Sequence, residues 1–402
     1  MRIAGIVAEY NPFHNGHAYQ IEQTRSETGG GATHVVAVMS GSFMQRGEPA
    51  LLPKADRARM ALAGGADLVL ELPLPWALSS AETFARGAVS LLCALRCVDV
   101  LSFGSEEGNA APLRQAAALM EQPRFTSLLR YRMEGGSSYP EARQMTLTEL
   151  GGERLGRLLT QPNNTLGIEY LRALQQEQSS MEVFTVPRLG AAHDAVRPLG
   201  NVASAGYIRT VLRKGRLMNA IPFLPAESGR ILTEAAAAGR APASEALLDR
   251  AVLSRLRRLT PEELGGLPAV SEGIENRLYT AIRQADSLEA LLTALKTRRY
   301  PMTRLRRLIY SAFLGVRAGD TALPPPYLRP LGANERGMEI LRAAKAAGCT
   351  LPFLSRASRA EQLDARGQQL LRLEYAATDQ YALALPRPLP CGSDLTDGLQ
   401  KG

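Results

Sequence analysis

The chain has 402 residues, a formal net charge of +8, pI ≈ 9.5, and 45% hydrophobic against 21% charged residues. That balance builds folded cores in two or three domains and excludes a disordered chain. The basic excess favours a polyanionic partner such as a nucleotide or nucleic acid.

Other function classes fall away quickly. Cys93, Cys97, Cys349 and Cys391 are too few and too scattered for a disulfide framework. Cys93 and Cys97 lack the further ligands of a zinc site, so no metal ligand set is expected. No uncharged apolar run reaches the ~18 residues of a membrane span. The N-terminus "MRIAGIVAEYNPF" lacks the apolar region and cleavage site of a signal peptide, so a cytoplasmic protein is expected.

The first hundred residues alternate two patterns. "IAGIVA" (3–8), "THVVAVMS" (33–40), "DLVLELP" (67–73) and "VDVLSFG" (98–104) are short apolar runs that predict strands. Helical spacing separates them over 18–27, 55–65 and 81–95. Continuous apolar strands between helices predict an α/β fold: a Rossmann-like, doubly wound parallel sheet covered on both faces. Ligands of such sheets bind beyond the carboxyl ends of the strands. Here those ends carry "EYNPFHNGH", "SGSFMQRGEPALLPK" and "SFGSEEG".

Helical sequence follows over about 110–180, broken by "GGSSYP" and "TQPNNT", and "MEVFTVPR" (181–188) predicts a fifth strand. "ASAGYIRTVLRKG" (203–215) enters a helix with Ser204 as N-cap. The first domain is placed at 1–218 and a mainly helical region at 219–325. A small C-terminal unit with a frayed tail is expected over 326–402.

Histidine is scarce, four in the whole chain, yet His14 and His17 fall together in "AEYNPFHNGHAYQ". The pair follows the first strand and opens a helix, whose N-terminus offers free N–H groups and partial positive charge. Gly16 would let the backbone approach a phosphate, and Pro12 stiffens the loop through Asn11. Two imidazoles three residues apart can donate to the same phosphate oxygens as charge develops. The bland alternative is a turn whose histidines merely cap.

His-x-Gly-His in this context resembles the HxGH nucleotidyltransferase superfamily. The superfamily's second motif, I-S-S-T-x-I-R, is similar to "ASAGYIR", with Gly206 at the threonine position. Arg209 would then carry the charge on the outer phosphates. "GIVAEYNPFHNGH", "MSGSFMQRGEPALLPK", "DLVLELP", "FARGAVSLL", "LSFGSE", "PNNTLGIEYLRAL", "RLGAAHD", "SEGIENRL" and "RRYPMTRLRRLIY" together resemble the tRNA(Met) cytidine acetate ligase family over residues 3 to about 332.

The resemblance implies an ATP-dependent ligase. It would form acetyl-adenylate from acetate and ATP with Mg²⁺, then acetylate the wobble cytidine of elongator tRNA(Met) to N4-acetylcytidine. It places the ATP-binding stretch on Val7, Ala8, Glu9, Tyr10, Asn11, Pro12, Phe13, His14, Asn15, Gly16, His17, Ala18, Tyr19 and Gln20. It adds Gly104, Asn163 or Asn164, and Arg188. Ser204 goes with Arg209 in the second motif. In "QRGEP", Arg46 would hold acetate or pyrophosphate, unless Glu48 and Lys54 simply pair and fix that loop.

The catalytic set is therefore His14, His17, Arg46 and Arg209. Arg298, Arg299, Arg304, Arg306 and Arg307 would contact tRNA phosphates, with Tyr300 stacking on a base. An arginine-rich solvated helix face is the alternative. A small-molecule adenylyltransferase and a non-catalytic tRNA- or nucleotide-binding protein are the competing functions.

Overall fold

A computed structural model describes residues 1–188, 198, 200–271, 273–297, 300–355 and 357–402. Among the described residues nine strands form: β1 Ile3–Ala8, β2 His34–Ser40, β3 Phe43–Met44, β4 Glu48–Pro49, β5 Leu68–Leu72, β6 Val100–Ser105, β7 Glu182–Pro187, β8 Pro330–Ala333 and β9 Gln400–Lys401. Seven of them make one sheet in the order β7-β6-β1-β2-β5-β8-β9, and β3 and β4 pair as a separate small hairpin.

The five apolar runs read from sequence form the parallel part. β1 pairs with β2 and β6, β2 with β5, and β6 with β7, all parallel. Every residue of β2 and β5 is buried, as a sheet covered on both faces requires. Val36, Val38, Leu68 and Leu70 face one core with Trp76, Val89 and Leu92. Val35, Ala37, Met39 and Val69 face another with Phe13 and Met60. At ~1.5–3 kcal/mol per fully buried large apolar side chain, these two layers dominate the stability.

The chain runs β1, β2, β5 in one direction, then returns to place β6 on the other side of β1. That reversal opens a crevice at the carboxyl ends of β1 and β6.

Two boundaries differ from the sequence reading. Ala220, Phe223, Ile231 and Leu232 still pack with Ile6 and Phe13, so the helix Ala226–Ala237 belongs to the sheet layer. A second, helical core gathers Leu248, Val252, Leu278, Leu291 and Leu305. It begins about one helix beyond residue 218.

The C-terminal segment is not a separate unit. β8 adds antiparallel to β5, and β9 adds parallel to β8. The helix Ala365–Ala382 gives Leu370 and Leu371 to the sheet core and Ala377 and Tyr381 to the helical one.

Nor is the tail frayed. Asp394 is buried against Lys54 at 2.6 Å and Arg329 at 3.2 Å. Glu71 closes the cluster, 2.7 Å from both Lys54 and Arg329. Lys54 therefore pairs with Glu71 and Asp394, not with Glu48. Residues 397 positions apart in sequence, such as Ile3 and Gln400, end in one sheet because hydrogen bonding to an open edge satisfies both backbones.

Candidate active site

The turn after β1 sets the site. Tyr10 adopts φ 46°, an uncommon left-handed conformation for a large side chain. It is held there by burial, with its ring edge-on to Phe13 and His17 at 4.9 Å from each. His14 then caps the helix Asn15–Arg25. The Gly16 N–H donates to His14 Nδ1 at 3.0 Å, and the His14 N–H donates to His17 Nδ1 at 3.2 Å. The two rings stack, centroids 3.8 Å apart and planes 22° from parallel.

This reciprocal cap decides the tautomers. Each Nδ1 accepts a backbone N–H, so in the neutral ring each proton sits on Nε2. Two Nε2–H donors thus accompany the helix N-terminus. Burial is the main cause pushing the His14 pKa down to about 3, with Arg188 and Arg209 adding to it. Burial also holds His17 well below its ordinary value, helped by His14 and Arg188. Both rings are neutral hydrogen-bond donors at pH 7.

Gly16 also has a reason within the fold. A Cβ there would lie 2.9 Å from His14 Cε1, so glycine clears the folded-back imidazole. Gly104 is the open position. A Cβ would meet only the Val186 carbonyl oxygen at 3.9 Å and Arg188 Cγ at 4.0 Å, so packing within the protein does not demand glycine.

Arg209 reaches the loop from the helix Ala205–Arg213, which Ser204 caps by accepting from the Tyr207 N–H at 3.1 Å. Arg209 Nη1 donates to the Asn11 carbonyl at 3.1 Å, and Nη2 lies 3.4 Å from Glu48. Arg213 also pairs with Glu48, at 3.0 Å. Burial alone would raise the Glu48 pKa, but these two guanidinium groups hold it below the usual carboxylate range.

Arg188 follows β7 and influences both histidines electrostatically. His14, His17, Arg188, Arg209 and Gly104 therefore gather at the carboxyl ends of β1, β6 and β7. Ala8, Asn15, Ala18, Tyr19 and Gln20 flank them on β1 and the first helix. Asn15 ties that helix to the Asn201 carbonyl at 2.8 Å. Residues 189–197, His193 among them, lie outside the described residues.

The two asparagines part ways. Asn164 is fully buried, and its Oδ1 accepts the N–H groups of Glu106 at 3.0 Å and Glu107 at 3.1 Å. Its amide also donates to Gln161 at 2.6 Å, so it latches the turn after β6. Asn163 is half-buried, and its amide donates to Glu106 at 2.5 Å. Of the two, Asn163 is the one whose side chain remains at the rim.

Two residues of the site escaped the sequence reading. Glu106 caps the helix Pro162–Gln176 by accepting the N–H groups of Asn163 and Asn164. Arg57 is fully buried and donates to the carbonyls of Leu52 at 3.1 Å, Glu9 at 2.8 Å, Ser40 at 2.9 Å, and Gly41. It braces the turns after β1 and β2 together. Nothing local marks it, because "ADRARMALA" reads as an ordinary amphipathic helix.

The arginine-rich helix, Met302–Leu314, is not a free basic face. Tyr300 is buried, and its hydroxyl donates to the Ser271 carbonyl at 3.0 Å, so it cannot stack on a base. Arg304 lies over the Tyr300 ring and donates to the Ala269 carbonyl at 2.8 Å. Arg306 donates to the Gly47 carbonyl at 2.9 Å and pairs with Glu245, which Tyr310 also contacts. Arg307 is half-buried beside the Gln45 carbonyl. Arg298 and Arg299 lie outside the described residues. The helix thus supports the "QRGEP" turn that carries Arg46.

A histidine pair at a helix N-terminus in the reversal crevice of a parallel sheet is the arrangement of a nucleotidyltransferase. The profile of the HIGH Nucleotidyl Transferase family matches residues 1–391, and the chain belongs to that family. Within it, the chain belongs with the tRNA(Met) cytidine acetate ligases. It is 42% identical to the tRNA(Met) cytidine acetate ligase of Syntrophotalea carbinolica, covering 96% of this chain and 95% of that one. It is 37% identical to that of Acetivibrio thermocellus, covering 96% of each. The crystal structure of Thermotoga maritima TmcAL bound with alpha-thio ATP superposes with TM-score 0.92 at 30% identity, covering 100% of this chain and 99% of that one. The apo form superposes with TM-score 0.93, covering 100% of each at the same identity.

Proposed function

We propose that the chain is an ATP-dependent acetate ligase. It forms acetyl-adenylate from acetate and ATP, then acetylates the wobble cytidine of elongator tRNA(Met) to N4-acetylcytidine. The observation that carries this reading is the neutral His14–His17 pair at the helix N-terminus, flanked by Arg188 and Arg209. The similarity to ligases of that name over nearly the whole chain supports the substrates.

Acetate is ionised at neutral pH, so its attack on the α-phosphate needs no base. What the step needs is alignment and neutralisation of charge developing on the phosphates. The histidine Nε2–H groups and the helix N-terminus donate to the phosphate oxygens. Arg209, anchored on the Asn11 carbonyl, and Arg188 supply the fixed positive charge. Arg46, on the turn facing the same crevice, is assigned to acetate.

Among the described residues no group of three or more His, Cys, Asp or Glu side chains could hold a metal ion. Mg²⁺ fits this site as an ion carried by the triphosphate oxygens, which is its usual habit. No helix among the described residues is long and apolar enough to cross a membrane. A cytoplasmic location fits a tRNA-acting enzyme.

The tRNA would approach over the exposed Arg213, Lys214 and Arg216, at the end of the Arg209 helix and in the turn just beyond it. The wobble base must leave its stack to enter the crevice.

Incubation with ATP, acetate and tRNA(Met), following AMP and tRNA mass, tests the reading. AMP release with an acetyl mass gain on the tRNA is expected. ATP consumption without that gain would mark a small-molecule adenylyltransferase. No ATP consumption would mark a binding protein.

A further inference from the structure

Two carboxylates, Glu9 and Glu48, answer to the same guanidinium, that of Arg209. Their surroundings push them apart. Glu48 is paired with Arg209 and Arg213 and stays ionised. Glu9 begins the turn out of β1 and is half-buried. Its Oε1 accepts the Gln45 N–H at 2.7 Å, and its own carbonyl is held by Arg57 at 2.8 Å. Burial outweighs everything else and raises its pKa. Glu48 adds to that rise, while the Gln45 N–H, Arg209 and Arg46 oppose it. Tyr170 and Arg57 also sense its charge. Two neighbouring carboxylates with separated proton affinities divide into a base and a fixed charge.

The activation step has no use for such a group, because acetate brings its own charge. The transfer step does. The lone pair of a cytosine amine is conjugated into the ring, so the nitrogen is a weak nucleophile. As it attacks a carbonyl it must lose a proton.

We propose that Glu9 is the general base of acetyl transfer. Its carboxylate takes a proton from the cytidine N4 amine as that nitrogen attacks the acetyl carbonyl carbon of acetyl-adenylate. The new N–C bond forms, and the C–O bond to the adenylate phosphate breaks. AMP leaves with that electron pair, and the proton passes from Glu9 to water once product departs. Glu9 sits five residues before His14 on the same rigid turn, so acceptor and adenylate would meet in one crevice. The assignment rests on the ligase reading above and deepens it.

The test separates two half-reactions. Acetate-dependent exchange of pyrophosphate into ATP reports activation alone. Single-turnover acetylation of tRNA(Met), by enzyme preloaded with ATP and acetate, reports transfer. In Glu9→Gln the ratio of transfer to exchange should fall about 100-fold or more, the usual contribution of a positioned base. Wild-type transfer should fall as the pH drops through the Glu9 titration. Glu9→Asp should keep that acid limb at reduced rate, and Glu9→Gln should lose it.

An unchanged ratio in Glu9→Gln would overturn the proposal. So would equal losses in exchange and transfer, which would make Glu9 a loop-fixing residue. Wild-type protein that performs neither half-reaction would instead overturn the ligase reading itself.

Discussion

Arg306 Nε donates to the carbonyl of Gly47 at 2.9 Å, across 259 positions of sequence. Gly47 has φ +74°, and a Cβ on it would lie 2.6 Å from the Arg306 carbonyl carbon and from the Arg307 nitrogen. The helical region thus presses its backbone onto the turn that carries Gln45, Arg46 and Glu48. Positive φ and close contact both require glycine there.

Arg306→Ala should therefore act on the active site. The turn loses its anchor and Glu245 loses its partner, so acetate-dependent exchange should fall roughly tenfold, about 1.4 kcal/mol of transition-state alignment. Filter binding of tRNA(Met) against salt should keep its slope, because this guanidinium is already engaged inside the protein. A flattened slope with normal exchange would return Arg306 to the RNA surface.

His17→Ala should lower acetyl-adenylate formation by about 10²–10³-fold, as for loss of one donor to a developing oxyanion. The helix loses part of its cap, so about 0.5–2 kcal/mol of stability should go with it, and circular dichroism should stay native-like. In nucleotide-free protein, ring NMR should show both histidines as Nε2–H tautomers that do not titrate between pH 6 and 8. A normal titration near neutrality would contradict the buried, neutral pair.

Arg57→Met should destabilise the protein by more than about 3 kcal/mol in urea unfolding, since several buried carbonyls lose their donor at once. Burial already pushes the Arg57 pKa down to about 10, so its charge is tolerated only through those carbonyls. A loss below 1 kcal/mol would show that the turns after β1 and β2 do not need the brace.

The buried cluster at the C-terminal edge gives a pH test. Burial, with the neighbouring Glu71, pushes the Glu374 carboxyl up to about 8. Folding thus binds a proton that the unfolded chain releases above its ordinary 4.5. Stability from this group must fall as pH rises from about 4.5 to 8, by at most about 1.4 kcal/mol per pH unit. The neutral histidines tilt the opposite way below pH 6.5, because unfolding lets them protonate. The stability difference between wild type and Glu374→Gln isolates the first effect. It should shrink or reverse sign toward alkaline pH, and a difference flat across pH 5–8 would refute the assignment.

Much of the site was legible in one dimension. Alternating apolar runs and helical spacing are local signals of burial, and they placed five parallel strands and the crevice at their ends. "HNGH" directly after a strand marked the start of the histidine-capped helix. Ser204 and Arg209 were legible for the same reason, since a cap and a charge one turn later are set by local chemistry.

Partner choice was not legible. Lys54 selects Glu71 and Asp394 over the nearby Glu48, and Glu48 selects Arg209 and Arg213. Arg306 grips a carbonyl in another region while its neighbours on "RRYPMTRLRRLIY" look alike in sequence. β8 and β9 close the sheet edge from a segment that the sequence marks as a small separate unit with a frayed tail. A side-chain period states which face of an element is apolar. Which distant charge or strand edge meets that face depends on chain reversal in space, where desolvation penalises every arrangement but the one that pairs buried groups.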